Sequence, residues 1–124
     1  MKHKRPINLN LFTLKFPIAA IVSILHRLSG LLLFLLIPFL LLGLSSSLAS
    51  QQDFDVLYFR LTTPFAKCII WFLLSAFIYH FVAGIRHLMM DAGIGEELKS
   101  GRLGAKLVLV ISVILTLLVG IWLW

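Results

Sequence analysis

The sequence predicts an all-α membrane protein with three transmembrane helices. Of its 124 residues, 60% are hydrophobic and only 13% are charged, whereas a soluble domain averages about 45–50% apolar residues. The apolar residues form three runs, and a helix needs roughly 20 residues to cross a hydrocarbon core about 30 Å thick. The chain is too short for more than one domain, so residues 1–124 are expected to form a single transmembrane anchor domain.

The first span is predicted at about 17–44. Pro17 suits the first turn of a helix, and the apolar run stops before the serine-rich loop that begins at Ser45. Pro38 lies inside the run and is expected to kink the helix, because proline removes a backbone hydrogen bond and crowds the preceding turn.

The second span is predicted at about 64–91, where Thr63 can cap a helix that begins with a proline. The third span is predicted at about 106–124. It carries no charge beyond its first residue, and Trp122 and Trp124 fit an aromatic belt at its far end.

The segments that flank the spans differ in charge and so predict an orientation. The first loop, at 45–63, has one basic residue, Arg60, and is expected to contain a short helix at about 54–61. Lys67 lies just inside the second span. The N-terminal segment and the surroundings of the second loop, at 92–105, carry more basic residues: Lys2, Lys4, Arg5, Lys15, Lys99, Arg102 and Lys106. Because such residues collect on the cytoplasmic side, the N-terminus and second loop are predicted to be cytoplasmic. Membrane topology thus accounts for the net charge of +6, and no nucleic-acid partner is expected.

A polar stripe runs along the second span. His80, Gly84, His87 and Asp91 are separated by four, three and four residues, so they share one helix face. His80 precedes the inner end of the span by about 15 Å at 1.5 Å per residue, near mid-membrane. Ionisable groups at that depth are costly and mark functional sites.

Three interpretations of this stripe remain open. His80 can ligate heme iron, hydrogen-bond across helices or relay protons. Gly84 suits the first two, since it leaves room for a flat macrocycle or for close helix packing. At the membrane border, His87 and Asp91 can pair, and together with Arg86 they can equally form a solvated ion cluster.

The inner end of the first span carries a second polar group. Ser23 and Arg27 share a face and can hold the carbonyl oxygens of a quinone, while Arg27 or His26 can reach a heme propionate. Alternatively, Arg27 snorkels to the headgroups and Ser23 bonds to its own helix. Ser29 and Gly30 form a small packing surface.

The number of deep histidines bears on the architecture. Low-spin b-type hemes commonly need two axial ligands, and only His80 of the four histidines lies deep in a predicted span. If His80 binds heme, the second ligand must come from another polypeptide. The three helices would then form half of a heme-binding helical bundle.

Two motifs resemble those of the cytochrome b membrane-anchor subunit of bacterial succinate dehydrogenase (succinate:quinone oxidoreductase, complex II). Residues 23–30 read SILHRLSG, similar to the family pattern S-x-x-H-R-x-[ST]-G, and residues 80–91 match H-x-x-x-G-[apolar]-R-H-x-x-x-D. The Arg5-Pro6 start and three-span layout also agree, so the resemblance covers nearly the whole chain. The stretch Arg5–Leu9 lacks the Ser-Pro-His sequence of the mitochondrial-type branch, which favours the gamma-proteobacterial type.

The resemblance implies roles for particular residues. His80 matches the axial ligand of heme b, shared with a second small membrane-anchor subunit. Ser23 and Arg27 match positions that line the ubiquinone site, and His26 and Arg27 match positions near the heme propionates. Gly84, which belongs to the same motif, is a supporting residue. The other supporting residues are Arg86, His87 and Asp91.

The resemblance also implies an assembly. An iron–sulfur subunit and a flavoprotein subunit would dock at the cytoplasmic face of the bacterial inner membrane, and the C-terminus would be periplasmic. The chain would pass electrons to ubiquinone as a non-flavin subunit, with no complete active site of its own. The competing interpretations are a non-redox small transporter subunit with an intramembrane His/Asp proton relay, and a structural anchor without heme.

Overall fold

The computed structural model describes residues 16–124, and this part of the chain is helical with no strand. It contains four helices, α1 (Ile18–Ala49), α2 (Gln51–Leu61), α3 (Pro64–Asp91) and α4 (Leu98–Leu123). The predicted all-α class is therefore confirmed. The predictions that concern the basic N-terminal segment and the stretch Arg5–Leu9 lie outside the described residues.

Three of these helices are long and apolar enough to cross a membrane. α1 has 32 residues, α3 has 28 and α4 has 26, which corresponds to lengths of about 39–48 Å at 1.5 Å per residue. A hydrocarbon core is only about 30 Å thick, so each helix is longer than its membrane-crossing part. The three predicted transmembrane helices are confirmed.

The first helix does not end at the serine cluster, where the sequence predicted a loop. α1 continues through Pro38 and the serines to Ala49. Within its last turns the Ser47 hydroxyl donates to the Leu44 carbonyl at 2.7 Å, and such a bond satisfies a serine without leaving the helix. Only Ser50 separates α1 from α2. Its Oγ accepts a hydrogen bond from the Asp53 amide at 3.0 Å and caps the start of α2.

The other two boundaries follow local capping and turn chemistry. Thr63 Oγ1 accepts from the Ala66 amide at 3.4 Å at the start of α3, with a proline in the first turn. After α3 the chain turns at Gly93 and Gly95, whose φ angles of 83° and 75° favour glycine. α4 then begins at Leu98, ahead of the span expected from 106, because helical structure resumes as soon as this turn ends while the charged residues still continue.

Helix α3 is hydrogen-bonded to both α1 and α4. A small core of Val22, Ala83, Ala105 and Val108 packs where α1, α3 and α4 meet. Tyr79, Trp71 and Arg86 of α3 also donate hydrogen bonds to main-chain carbonyls of α1 or α4, and we call these three the α3 carbonyl bonds. They run from Tyr79 to Val22 (2.6 Å), from Trp71 to Thr116 (2.8 Å) and from Arg86 to Gly101 (3.2 Å).

Small residues on α4 make room for these donors. A Cβ at Gly120 would lie 3.0 Å from the Trp71 ring, and one at Gly104 would lie 3.4 Å from Arg86 Nε. The small residues Ser112, Thr116 and Gly120 recur every four residues on α4, and this repeat packs against α3 at Gly120. Its buried member Ser112 has no hydrogen-bond partner for its Oγ among the described residues.

Candidate functional site

His80 makes a hydrogen-bonded link between α3 and α1. Its Nδ1 lies 3.1 Å from the His26 carbonyl oxygen and 3.0 Å from Ser29 Oγ. The Ser29 hydroxyl itself donates to the same His26 carbonyl at 2.8 Å, so its oxygen is left to accept from His80. Both neighbours of Nδ1 are therefore acceptors, which places the proton on Nδ1 and leaves a lone pair on Nε2.

This geometry reconciles two of the interpretations that the sequence left open. The bond to His26 is the helix-to-helix link expected of a polar residue in a membrane bundle. A metal-bound histidine also typically donates its other N–H to a carbonyl or carboxylate, which fixes the ring and its tautomer. The His80 ring thus has the hydrogen bonding of a metal ligand, and its donor atom would be Nε2.

Two glycines leave space for the imidazole rings. A Cβ at Gly30 would lie 2.9 Å from His80 Cε1, closer than real Cβ atoms approach, and a Cβ at Gly84 would lie 3.4 Å from His26 Nε2. Gly30 therefore makes room for the His80 ring. Gly84, one turn from His80, makes room for the His26 ring, so its missing side chain serves an imidazole in this structure.

Three histidines stack rather than converge. His26 lies between the other two, with ring centroids 4.2 Å from His80 and 4.7 Å from His87 and interplanar angles of 8° and 21°. Within residues 16–124, no group of three or more His, Cys, Asp or Glu side chains is arranged to hold a metal ion. A metal at this place would take one ligand, His80, from the described part of the chain. That donor set fits heme iron, which needs only axial ligands from protein.

Ser23 and His87 form a second link between α1 and α3. His87 Nδ1 lies 2.7 Å from the Ala83 carbonyl, so it carries the proton and His87 Nε2 accepts from the Ser23 hydroxyl at 3.1 Å. Ser23 therefore bonds across to α3, where one interpretation had it bonding to its own helix. Of the two alternatives for His87 and Asp91, the pair does not form, since both nitrogens of His87 are engaged elsewhere and Asp91 is exposed.

The two arginines of the motifs lie in different surroundings. Arg27 is exposed on α1, one turn beyond Ser23, which leaves its guanidinium free to meet a ligand or a neighbouring subunit. Arg86 is 7% exposed and donates to Gly101 of α4, where it lines an apolar groove of about 520 Å³ between α3 and α4. Arg86 thus contacts α4 although its neighbour in sequence, His87, contacts α1.

Sequence reasoning had assigned Ser29 and Gly30 to helix packing alone. The structure places both against His80, and it adds Tyr79, whose hydroxyl bonds to Val22 one turn before His26. Spacing signals a shared face within one helix. It carries no signal for which residue of another helix will meet that face.

Comparisons with known proteins point to one family. The model of the succinate dehydrogenase/fumarate reductase transmembrane subunit matches residues 1–119. The chain is 43% identical over 125 residues to the succinate dehydrogenase cytochrome b556 subunit of Coxiella burnetii, and the match covers 100% of both chains. It is 35% identical to the subunit of that name from Rickettsia prowazekii, over 96% of this chain and 93% of the relative. It is 30% identical to that of Paracoccus denitrificans, over 92% and 88%.

Proposed function

The chain belongs to the succinate dehydrogenase/fumarate reductase transmembrane subunit family, and we propose that it anchors a succinate dehydrogenase and helps it bind heme b and ubiquinone. In this role it passes electrons from the iron–sulfur subunit to quinone, linking the tricarboxylic acid cycle to the respiratory chain. The observation that carries the proposal is the His80 ring, whose Nδ1 is held by His26 and Ser29 while Nε2 keeps its lone pair.

In this proposal His80 would hold the heme iron through Nε2. Heme b, when bound, supplies one-electron redox chemistry, and the protein supplies its placement and electrostatic surroundings. The other described histidines are poor second ligands, because His26 is stacked between two rings and both nitrogens of His87 are hydrogen-bonded. A second ligand would therefore come from a second small membrane-anchor subunit, which would complete the helical bundle.

Ser23 and Arg27 bind the quinone head group. They lie on one face of α1, and the Ser23 hydroxyl that donates to His87 can turn to donate to a quinone carbonyl oxygen. The Arg27 guanidinium donates to the same head group, and its positive charge favours the reduced, anionic form. Arg27 and His26 would also hold the propionates of a bound heme.

The remaining motif residues support this site. Gly84 leaves space for His26, His87 holds Ser23, and Arg86 ties α3 to α4. Asp91 ends α3 at the membrane border. The alternative proton relay gains less support, because His26 meets His80 and His87 with ring faces and a relay needs hydrogen-bonded nitrogens.

The assembly follows from this role. The chain forms one transmembrane domain, and its exposed apolar surface contacts lipids and the second anchor subunit. An iron–sulfur subunit and a flavoprotein subunit dock at the cytoplasmic face of the bacterial inner membrane.

A visible spectrum tests the proposal. The complex purified with its partner subunits is expected to show a b-type absorption band after reduction with dithionite, because a heme held by His80 and a ligand of the second anchor subunit would be low-spin. A transporter subunit or a bare anchor would show no such band, and its absence from the intact complex would overturn the heme assignment.

Reporter fusions test the orientation. Fusions at Ser50, between α1 and α2, and after Trp124 should report a periplasmic location. The basic residues of the N-terminal segment and of the loop between α3 and α4 favour the cytoplasm for those two segments. A fusion at Gly95, between α3 and α4, should report the cytoplasm. A periplasmic signal at Gly95 would reverse the orientation and move the quinone site to the other membrane face.

A further inference from the structure

We propose that Ser29 is a positioning residue for the heme ligand, and that its hydroxyl sets the tautomer and orientation of the His80 ring. This inference rests on the proposed function, in which His80 binds heme. It adds that the ligand is tuned by α1 of the same chain. Ser29 itself does not touch the iron.

The hydrogen bond between Ser29 and His80 can run in only one direction, from His80 to the serine oxygen. Ser29 is 8% exposed, and a buried hydroxyl is costly unless it is bonded. It donates its only proton to the His26 carbonyl at 2.8 Å, so towards His80 Nδ1, at 3.0 Å, it can only accept. The serine therefore requires a proton on Nδ1 and leaves Nε2 as the ligand atom.

The His26 carbonyl and Gly30 also fix the position of the His80 ring. The His26 carbonyl, at 3.1 Å, is the second acceptor for Nδ1, and Gly30 follows Ser29 with no side chain, since a Cβ there would lie 2.9 Å from His80 Cε1. The consecutive pair Ser29-Gly30 thus provides an acceptor and a gap for the same ring. The main-chain carbonyl alone does not define the ring position as closely, because it is a single point of attachment.

An acceptor on Nδ1 changes the ligand as well as its position. A histidine that donates its second N–H becomes a more basic ligand, and loss of such a partner typically lowers metal affinity by about 10–100-fold. A more basic ligand stabilises ferric over ferrous iron. Removal of the Ser29 hydroxyl should therefore raise the heme midpoint potential.

The test is a redox titration of the purified complex that carries Ser29→Ala. We expect an upward shift of the heme midpoint potential and about tenfold faster loss of heme to apomyoglobin. This is the low end of the range for removing a hydrogen-bond partner of a metal ligand, because the His26 carbonyl remains. Ser29→Thr keeps the hydroxyl and should restore the wild-type potential. Ser47→Ala is the matched control, because Ser47 makes the same kind of bond to its own helix at 2.7 Å but is far along α1 from His80.

The outcomes separate this inference from the proposed function. A wild-type potential and heme retention in Ser29→Ala would overturn the positioning role and leave heme binding by His80 intact. A purely structural serine would lower the yield of complex without shifting the potential of the heme that remains. If the alanine variant does not assemble, Ser29→Cys, which has similar size and a weaker acceptor, should shift the potential in the same direction, and an unshifted potential there would equally overturn the inference. Failure of the proposed function would appear instead as heme that is insensitive to His80→Leu.

Discussion

Replacement of His80 by leucine should strip heme b from the complex or leave it high-spin. Leucine has no donor atom, and within the described part of the chain His26 and His87 are held by stacking and hydrogen bonds, so neither is placed to substitute. The measurement is the reduced-minus-oxidised spectrum and the ratio of heme to flavin in the purified complex. We expect loss of most of the low-spin band.

The neighbouring residue offers a matched control for this variant. Phe81 is 59% exposed on the same helix, so Phe81→Leu introduces the same side chain one position away and should keep the spectrum. Quinone reduction should survive in part in His80→Leu, because Ser23 and Arg27 remain. A wild-type low-spin spectrum in His80→Leu would refute the ligand assignment.

Ser23→Ala and Arg27→Leu should each slow succinate–quinone turnover by about tenfold to a hundredfold. A hydrogen bond to a charged group is worth about 1.5–3 kcal/mol, and each 1.4 kcal/mol or so corresponds to a factor of ten in rate. The Ser23 variant also releases His87 from its 3.1 Å bond. The assay is quinone reduction with succinate as electron donor.

Two comparisons make this experiment specific. Succinate oxidation with an artificial dye, which takes electrons from the soluble subunits, should persist in both variants. Ser47→Ala and Arg60→Leu, which change a half-buried serine and an exposed arginine away from the site, should keep normal quinone turnover. Normal quinone reductase activity in both Ser23→Ala and Arg27→Leu, in assembled complex, would move the quinone site elsewhere.

The sequence predicted the long helices and the bounds of α3, but not the end of α1 or the start of α4. Long apolar runs are sufficient to recognise membrane-crossing helices, because composition and length decide them. The end of α1 was missed because a cluster of serines is typical of a loop. Here the Ser47 hydroxyl donates to the Leu44 carbonyl of its own helix, and the helix continues. α4 begins at Leu98 because a helix can extend into the charged region beyond the membrane.

The site was predictable as a face and not as a set of contacts. The spacing of His80, Gly84 and His87 placed them together, as helical geometry requires. Arg86 and His87 are adjacent, yet successive residues point about 100° apart around a helix, and they contact α4 and α1 respectively. The partner Ser29 was not recognised because its meeting with His80 depends on how two helices pack.

The α3 carbonyl bonds affect which substitutions this chain can accept without losing a hydrogen bond between helices. Tyr79, Trp71 and Arg86 all donate to the main chain, and His80 does the same at His26. A main-chain carbonyl is present whatever the side chain, so a substitution at a receiving position such as Val22 or Thr116 keeps the acceptor. The alignment of the three helices therefore depends on donor side chains of α3, whereas the carbonyls of α1 and α4 that accept these bonds remain after substitution of their own side chains.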